Sequence, residues 1–168
     1  MDVFDAVRTL VAVRRYQATP IPDETIRRIV EAGRLTASGM NAQPWHFVIV
    51  QDRATLQQLG SVLRTGPYVA DAPLAIVVAI EKTPIAVSDA SRAIQSMLLT
   101  AWAEGVASNW VGFGGLRSVN DLLAIPPDLD VLAVLPLGYP VGTVGQGTKQ
   151  RKALAEVAHR ERFGQPFA

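Results

Sequence analysis

The sequence contains no cysteine and only two histidines. The first absence removes disulfides, thiolate metal sites and a cysteine nucleophile in one step. The second leaves little for acid–base chemistry. His46 stands at the head of a strand pattern and reads as a packed or surface side chain. His159 lies among Arg160, Glu161 and Arg162 and reads as part of a solvated face. No serine sits in a Gly-x-Ser-x-Gly elbow. No carboxylate pair stands out, and no His/Asp/Glu cluster has metal-ligand spacing. Phosphate-cradling glycine motifs are also missing. Gly112-Phe113-Gly114-Gly115 lacks the GxGxxG spacing and the helix that follows it, and Gly142, Gly145 and Gly147 lead to no Gly-Lys-Ser/Thr. A Rossmann dinucleotide site and a P-loop are therefore both disfavoured.

Charge of one sign is lacking too. Lys and Arg number 16 against 15 Asp and Glu, so no broad basic field invites nucleic acid. The longest apolar runs, such as Pro73 to Ile80, are too short to cross a bilayer as helices. The N-terminal Met1-Asp2-Val3-Phe4-Asp5 is acidic and precedes no uninterrupted apolar stretch, so it does not read as a signal peptide. A cytoplasmic protein is expected, binding neither membrane nor nucleic acid. With no evident nucleophile, base or metal, an enzyme built on this chain borrows its chemistry from a cofactor.

What is present suits one domain over residues 1–168: nearly half the residues are apolar, enough for a core without staples. A helix is expected over Met1–Leu10 with Val3, Val7 and Leu10 on one face, and a second over about Asp23–Leu35 with Ile26, Ile29, Val30 and Gly33 as its buried stripe. A loop, Thr36–Pro44, then leads into a strand, His46–Val50. Arg53–Leu63 reads as a helix and the β-branched run Ala72–Ile80 as a central strand. Asp89–Gly105 reads as a long, deeply buried helix stopped by Gly105. Ser108–Phe113 and Val131–Leu137 read as strands flanking a short helix at Val119–Ala124, and the tail from Lys149 as basic and partly helical. Interleaved helices and strands predict a sheet with helices on both faces.

Three segments could hold a ligand. The hydroxyls and amides of Thr36–Pro44 could bond the polar edge of a heterocycle, although such a stretch is more often an ordinary polar loop. Arg14-Arg15 could grip a phosphate, guanidinium matching its oxygens in a bidentate way, or could equally be two solvated arginines. Lys149, Arg151 and Lys152 form a second basic group, a pattern most often solubilising. Among the aromatics Trp110, Phe113 and Tyr68, core packing is the favoured reading for the first two. Tyr68, in a turn before a central strand, is balanced between core and a cleft where it could stack on a flat substrate, as Phe113 could.

Taken in order, these segments resemble the nitroreductase family. Ala37-Ser38-Gly39-Met40-Asn41-Ala42-Gln43-Pro44-Trp45-His46-Phe47 resembles its signature Pro-Ser-x-x-Asn-x-Gln-Pro-Trp-x-Phe. Val13-Arg14-Arg15-Tyr16 followed by Pro20-Ile21-Pro22 resembles its N-terminal Ser-x-Arg-x-Phe segment. Asp89–Trp110 resembles its core helix and following strand, and Gly138-Tyr139-Pro140 with Lys149 and Arg151 resembles its closing segment. The resemblance implies an α+β, three-layer α/β/α sandwich with a mixed central sheet, an intertwined homodimer, and FMN at the dimer interface. It implies hydride transfer from NADH or NADPH through flavin N5 to a nitroaromatic, a quinone or a similar small acceptor, with no side chain as catalyst. By position, Arg14, Lys149 and Arg151 would hold the FMN phosphate. Ser38, Gly39 and Asn41 of the partner subunit would line the flavin. The backbone of Val111 and Gly112 would face the N5/O4 edge, and the pyrimidine-edge contact would fall near Thr65.

The chain departs from the family pattern where Leu10-Val11-Ala12 replaces Arg-Arg-Ser or Arg-His-Ser, deleting a guanidinium and a hydroxyl from the phosphate site. Each missing charge-assisted bond costs about 1.5–3 kcal/mol, roughly tenfold to over a hundredfold in affinity. Arg8 or Arg15 is available to compensate. Ala37 and Gly39 replace a Pro and a Ser and loosen the loop, and the segment between Gly115 and Val131 has no room for extra covering helices. The same departures motivate an alternative expectation, a non-catalytic or weakly catalytic flavin-binding protein on the same fold.

Overall fold

The computed structural model describes residues 1–114, 116–144 and 149–167. Gly115, Gly145 and Gly147, named above in glycine-rich segments, lie outside the described residues. Around the apolar run that reads as a central strand, four strands assemble: β1 (Trp45–Val50), β2 (Leu74–Glu81), β3 (Ala107–Ser108) and β4 (Leu129–Gly138), in the order β1-β2-β4-β3. All three pairings are antiparallel. Among the described residues, parallel pairing is confined to an isolated bridge between Ala12 and Ser108.

β2 is apolar on both faces because both are covered. On one face Ile76 and Val78 pack with Ile26 and Ile29 of α2 (Asp23–Arg34) and with Ile94 and Met97 of α4 (Ala86–Ala103). On the other, Ala75 and Val77 pack with Leu56 and Leu59 of α3 (Arg53–Val62) and Val119 of α5 (Leu116–Leu122). The result is helix–sheet–helix layering. One bulge interrupts it: Val78 faces Ala133 and Ala79 faces Val131, leaving Leu132 as the extra residue, so Leu132 and Ala133 both join the α2/α4 side.

Local chemistry sets the helix ends. Asp52 caps α3 by accepting the Thr55 N–H at 2.8 Å, and Asp23 and Glu24 sit at the positive end of α2. α4 stops just before Gly105, whose φ of +76° suits a glycine. α3 is also held against the 3₁₀ turn Pro67–Asp71. A Cβ on Gly60 would lie 2.6 Å from the Ala70 Cβ and 2.8 Å from the Pro67 carbonyl. Helix propensity alone favours alanine over glycine by about 1 kcal/mol. The rigid contact reverses that sign, so Gly60→Ala is expected to destabilise the fold by about 1–3 kcal/mol net. A urea midpoint that fell at unchanged slope would confirm it; a midpoint at or above wild type would refute the close approach.

The face of α1 (Val3–Thr9) that carries Val3, Val7 and Leu10 is divided: Leu10 packs against the core, whereas Val3 and Val7 are exposed with Phe4 among the described residues. Two expectations require correction. The Ser108–Phe113 strand is shorter than its pattern. After β3 only the Asn109 N–H to Pro136 carbonyl bond and a Val111–Val134 bridge continue the ladder, because Asn109 and Trp110 line a surface hollow. His159 is not solvated; it is half-buried, bridged to Pro166 and tilted on Phe163, in the tail that carries α6 (Leu154–Val157).

Candidate functional site

The hollow has a volume of about 790 Å³, within the range of small-molecule sites. Its wall is formed by α1 and residues 9–12, by Gln95 and Leu98 of α4, by Ser108-Asn109-Trp110, and by Lys149 and Arg151 of the tail. The basic tail and the N-terminal segment, at opposite ends of the sequence, therefore meet. Lys149 Nζ donates to the Val7 carbonyl at 2.6 Å, a carbonyl in the last turn of α1. Partial burial, and then the charge of Arg151, hold Lys149 below the usual lysine value. Two cations on one wall disfavour each other, and an anion between them would relieve that. Arg8 also lines the hollow, paired with Asp5 at 2.9 Å in an exposed ion pair.

Ser108 is buried on this wall beside Ala12, its bridge partner, and among the described residues its Oγ has no hydrogen-bond partner. A buried unpaired hydroxyl costs about 1–3 kcal/mol, so its place on a ligand-sized hollow is informative.

Arg14 and Arg15 do not line the hollow. The Arg14 guanidinium lies 5.9 Å from the centre of the Tyr68 ring, within cation–π range. The Tyr68 hydroxyl accepts from Asn109 Nδ2, and Asn109 also lines the hollow, so this cluster adjoins it. Tyr16 lies behind, donating to the Val13 carbonyl. Burial first, then Tyr68, push its hydroxyl well above the usual phenol range against the nearby Arg14 charge, and it stays protonated. Thr65 donates to the Phe113 carbonyl and thereby joins the turn before Tyr68 to residues 111–114.

The Val111 N–H donates to the Val134 carbonyl at 2.9 Å and is committed to the sheet. Of the two backbone groups named from the sequence, only that of Gly112 lies outside the ladder. A Cβ at Gly112 would meet Trp110 Nε1 at 2.6 Å, so the indole packs against this glycine. Neither aromatic is core: Trp110 is 37 % exposed and Phe113 80 %. Residues 112–114 run over the surface between the Val111 bridge and α5, which leaves the Phe113 ring in the open.

The signature loop stands apart from the hollow. Ser38 Oγ accepts the Gln43 N–H at 3.0 Å, and Gly39 N–H donates to Asp89 Oδ2 at 3.0 Å. Met40, Asn41 and Gln43 all have positive φ (51°, 57° and 50°). Such conformations cost of order 1–3 kcal/mol each for non-glycine residues, least for Asn, and persist only where the surroundings enforce them.

Sequence reasoning missed Ser108, Asn109 and Asp89. A signal existed for each. Ser108-Asn109 is a polar pair interrupting an apolar strand pattern, and Asp89 stands on the buried stripe of α4, four residues before Ala93.

Residues 8–81 and 63–139 match the model of the Nitroreductase family. A Methanothermobacter thermautotrophicus protein provisionally named an NADH dehydrogenase/NAD(P)H nitroreductase is 36 % identical over 154 residues, covering 86 % of this chain and 81 % of its own. A crystal structure from Parabacteroides distasonis, with the same provisional name, superposes with a TM-score of 0.87 at 26 % identity, covering 96 % of this chain and 98 % of its own. A provisionally assigned nitroreductase from Desulfovibrio desulfuricans, solved in complex with FMN, is 29 % identical, with a TM-score of 0.83 over 97 % of this chain and 98 % of its own.

Proposed function

This chain belongs to the nitroreductase family, and from that premise we propose that it is an FMN-dependent NAD(P)H oxidoreductase whose single domain, residues 1–168, acts as a homodimer. The observation that carries the reading is the hollow, where Lys149, Arg151 and an unpartnered Ser108 hydroxyl line one wall. That donor set fits FMN, whose phosphate needs cations and whose ribityl chain and phosphate both offer partners to a buried hydroxyl. When bound, FMN supplies two-electron chemistry between NADH or NADPH and a nitroaromatic, quinone or similar small acceptor.

The residues divide the work. Lys149 and Arg151 hold the phosphate. Arg8, on the wall of the hollow, stands in for the guanidinium missing at Leu10, whereas Arg15 lies elsewhere. Ser108 stands in for the hydroxyl missing at Ala12, its neighbour across the bridge. Arg14, on Tyr68, serves the ring system rather than the phosphate, with Thr65 fixing the adjoining turn. Gly112 N–H, outside the sheet ladder, would stabilise negative charge at the reacting edge, by the physics of an oxyanion hole. Tyr68 and the exposed Phe113 offer flat surfaces to an aromatic acceptor. Ser38, Gly39 and Asn41 of the partner subunit complete the flavin's surroundings.

Two surfaces support the homodimer. α1 exposes Val3, Phe4 and Val7, of which Val3 lines a second groove of about 470 Å³ between α1, α2 and α4 and Phe4 and Val7 line the hollow, and the tail exposes Leu154, Val157 and Phe163. Apolar surface of this kind marks an interface. Light scattering is expected to give twice the chain mass; a monomer that binds FMN with full affinity would contradict the assembly.

Ser108→Ala separates a ligand role from a structural one. Removing an unpaired buried hydroxyl stabilises the flavin-free protein by about 1–3 kcal/mol, while FMN affinity falls roughly tenfold. The two effects have opposite sign. A variant less stable than wild type with unchanged FMN affinity would make Ser108 a structural residue.

Catalysis is tested by anaerobic addition of NADH or NADPH to the FMN-loaded protein, followed by a nitroaromatic or quinone. Bleaching and then recovery of the flavin colour is the expected result. Flavin that stays oxidised with both nucleotides would favour the alternative, a flavin-binding protein without this turnover, which the Leu10-Val11-Ala12 replacement makes specific to this chain.

A further inference from the structure

Asp89 is buried (1 % exposed) in the first turns of α4, on the stripe that otherwise carries Ala86, Ala90, Ala93 and Ile94. A carboxylate there is disfavoured unless it is paired and hydrogen-bonded. It has two partners: Oδ1 accepts from Arg92, whose side chain is half exposed, and Oδ2 accepts the backbone N–H of Gly39 at 3.0 Å. The second bond links residues 50 positions apart and reaches the head of the segment in which Met40, Asn41 and Gln43 have positive φ. At the other end of that segment, Ser38 Oγ holds the Gln43 N–H. Helix packing alone needs neither bond. A strained segment does, because without anchors its non-glycine residues relax toward negative φ.

We infer that Asp89 is a positioning residue that locks the 38–43 loop, through the Gly39 N–H, into the conformation in which it meets the flavin. The inference rests on the functional reading above for the flavin, and on the geometry alone for the lock. Asp89 is bonded to Gly39 and Arg92 and would touch no flavin atom itself. It acts through the loop, so its loss weakens every flavin form alike, with or without a phosphate.

The test measures FMN and riboflavin affinities of the intact protein and of three variants, with amide exchange at Gly39 in wild type. Asp89→Ala is expected to raise both dissociation constants roughly 10- to 100-fold, the cost of one bond to a charged acceptor. Asp89→Asn, which keeps an oxygen for the Gly39 N–H, is expected to stay within about threefold of wild type, as is Arg92→Ala, which removes only the ion pair. The Gly39 amide is expected to exchange slowly. Asp89→Ala with wild-type affinities, or Asp89→Asn as damaging as Asp89→Ala, would overturn the inference. Should Asp89→Ala fail to fold, Asp89→Asn and the exchange rate decide, and a fast-exchanging Gly39 amide in folded wild type overturns it. A wild-type protein that binds no flavin would remove the functional reading itself, and the Gly39 exchange rate would then decide the lock independently.

Discussion

The Lys149→Ala/Arg151→Ala double variant is expected to bind FMN roughly 100- to 10,000-fold more weakly than wild type and riboflavin almost unchanged. Riboflavin is FMN without its phosphate, so the two ligands report on the ring and on the phosphate separately. Each cation contributes a charge-assisted bond of about 1.5–3 kcal/mol, and two such bonds give this range. The effect is large because the site has little redundancy. Leu10 and Ala12 stand where the family pattern has further polar groups, and Arg8, the remaining cation on the wall, replaces only the guanidinium missing at Leu10 while sharing its charge with Asp5. Raised salt should weaken FMN binding to wild type more than to the variant, since exposed charge–charge attraction is screened. If FMN and riboflavin lost affinity together, the cations would be acting through the Lys149–Val7 hydrogen bond and the placement of α1, not on a phosphate.

Arg14→Ala is expected to weaken FMN and riboflavin by the same factor, roughly 10- to 100-fold. Motif resemblance groups Arg14 with Lys149 and Arg151, but in the fold its guanidinium lies over Tyr68 and does not line the hollow that carries the two cations. On the proposed reading Arg14 faces the ring system, and a charged group there would serve both ligands equally. The expected magnitude is that of one charged hydrogen bond, together with the cation–π attraction that holds Tyr68 in place. Titration of both ligands by flavin fluorescence gives the two constants. A weakening confined to FMN would return Arg14 to the phosphate and would require the N-terminal segment to rearrange on binding.

The layers of the fold were legible because burial writes itself into periodicity. The run from Ala72 to Ile80 is apolar at every position, and its core from Leu74 is covered on both faces by α2/α4 and α3/α5. The stripe Ile26, Ile29, Gly33 marks the inner face of α2, and Gly105 marks the stop of α4. What the pattern concealed has physical causes. Of the apolar pattern at α1, Leu10 meets the core while Val3 and Val7 stay exposed among the described residues, so the pattern announced packing without saying against what. Trp110 and Phe113 have the chemistry of core residues and lie at the surface, because Gly112 and the Val111–Val134 bridge end the ladder between them.

The candidate site was legible in parts. The basic residues at 149 and 151 were visible, but only the fold brings them beside residues 8–12. Whether Arg8 or Arg15 faces that hollow could not follow from spacing, since the segment between Arg8 and Arg15 includes the end of a helix and a single sheet bridge. Ser108 emerged only when its pairing with Ala12 was known, because a lone serine in a strand carries no motif. Asp89 was hidden by its position within a helix rather than in the loop it holds.

The most direct measurement is the absorption spectrum of the purified protein before and after reconstitution with FMN and removal of excess ligand by gel filtration. A protein-bound flavin spectrum at one FMN per chain is expected, absent in the Lys149→Ala/Arg151→Ala variant. A folded wild-type protein that emerges colourless from the column after incubation with excess FMN would contradict the account.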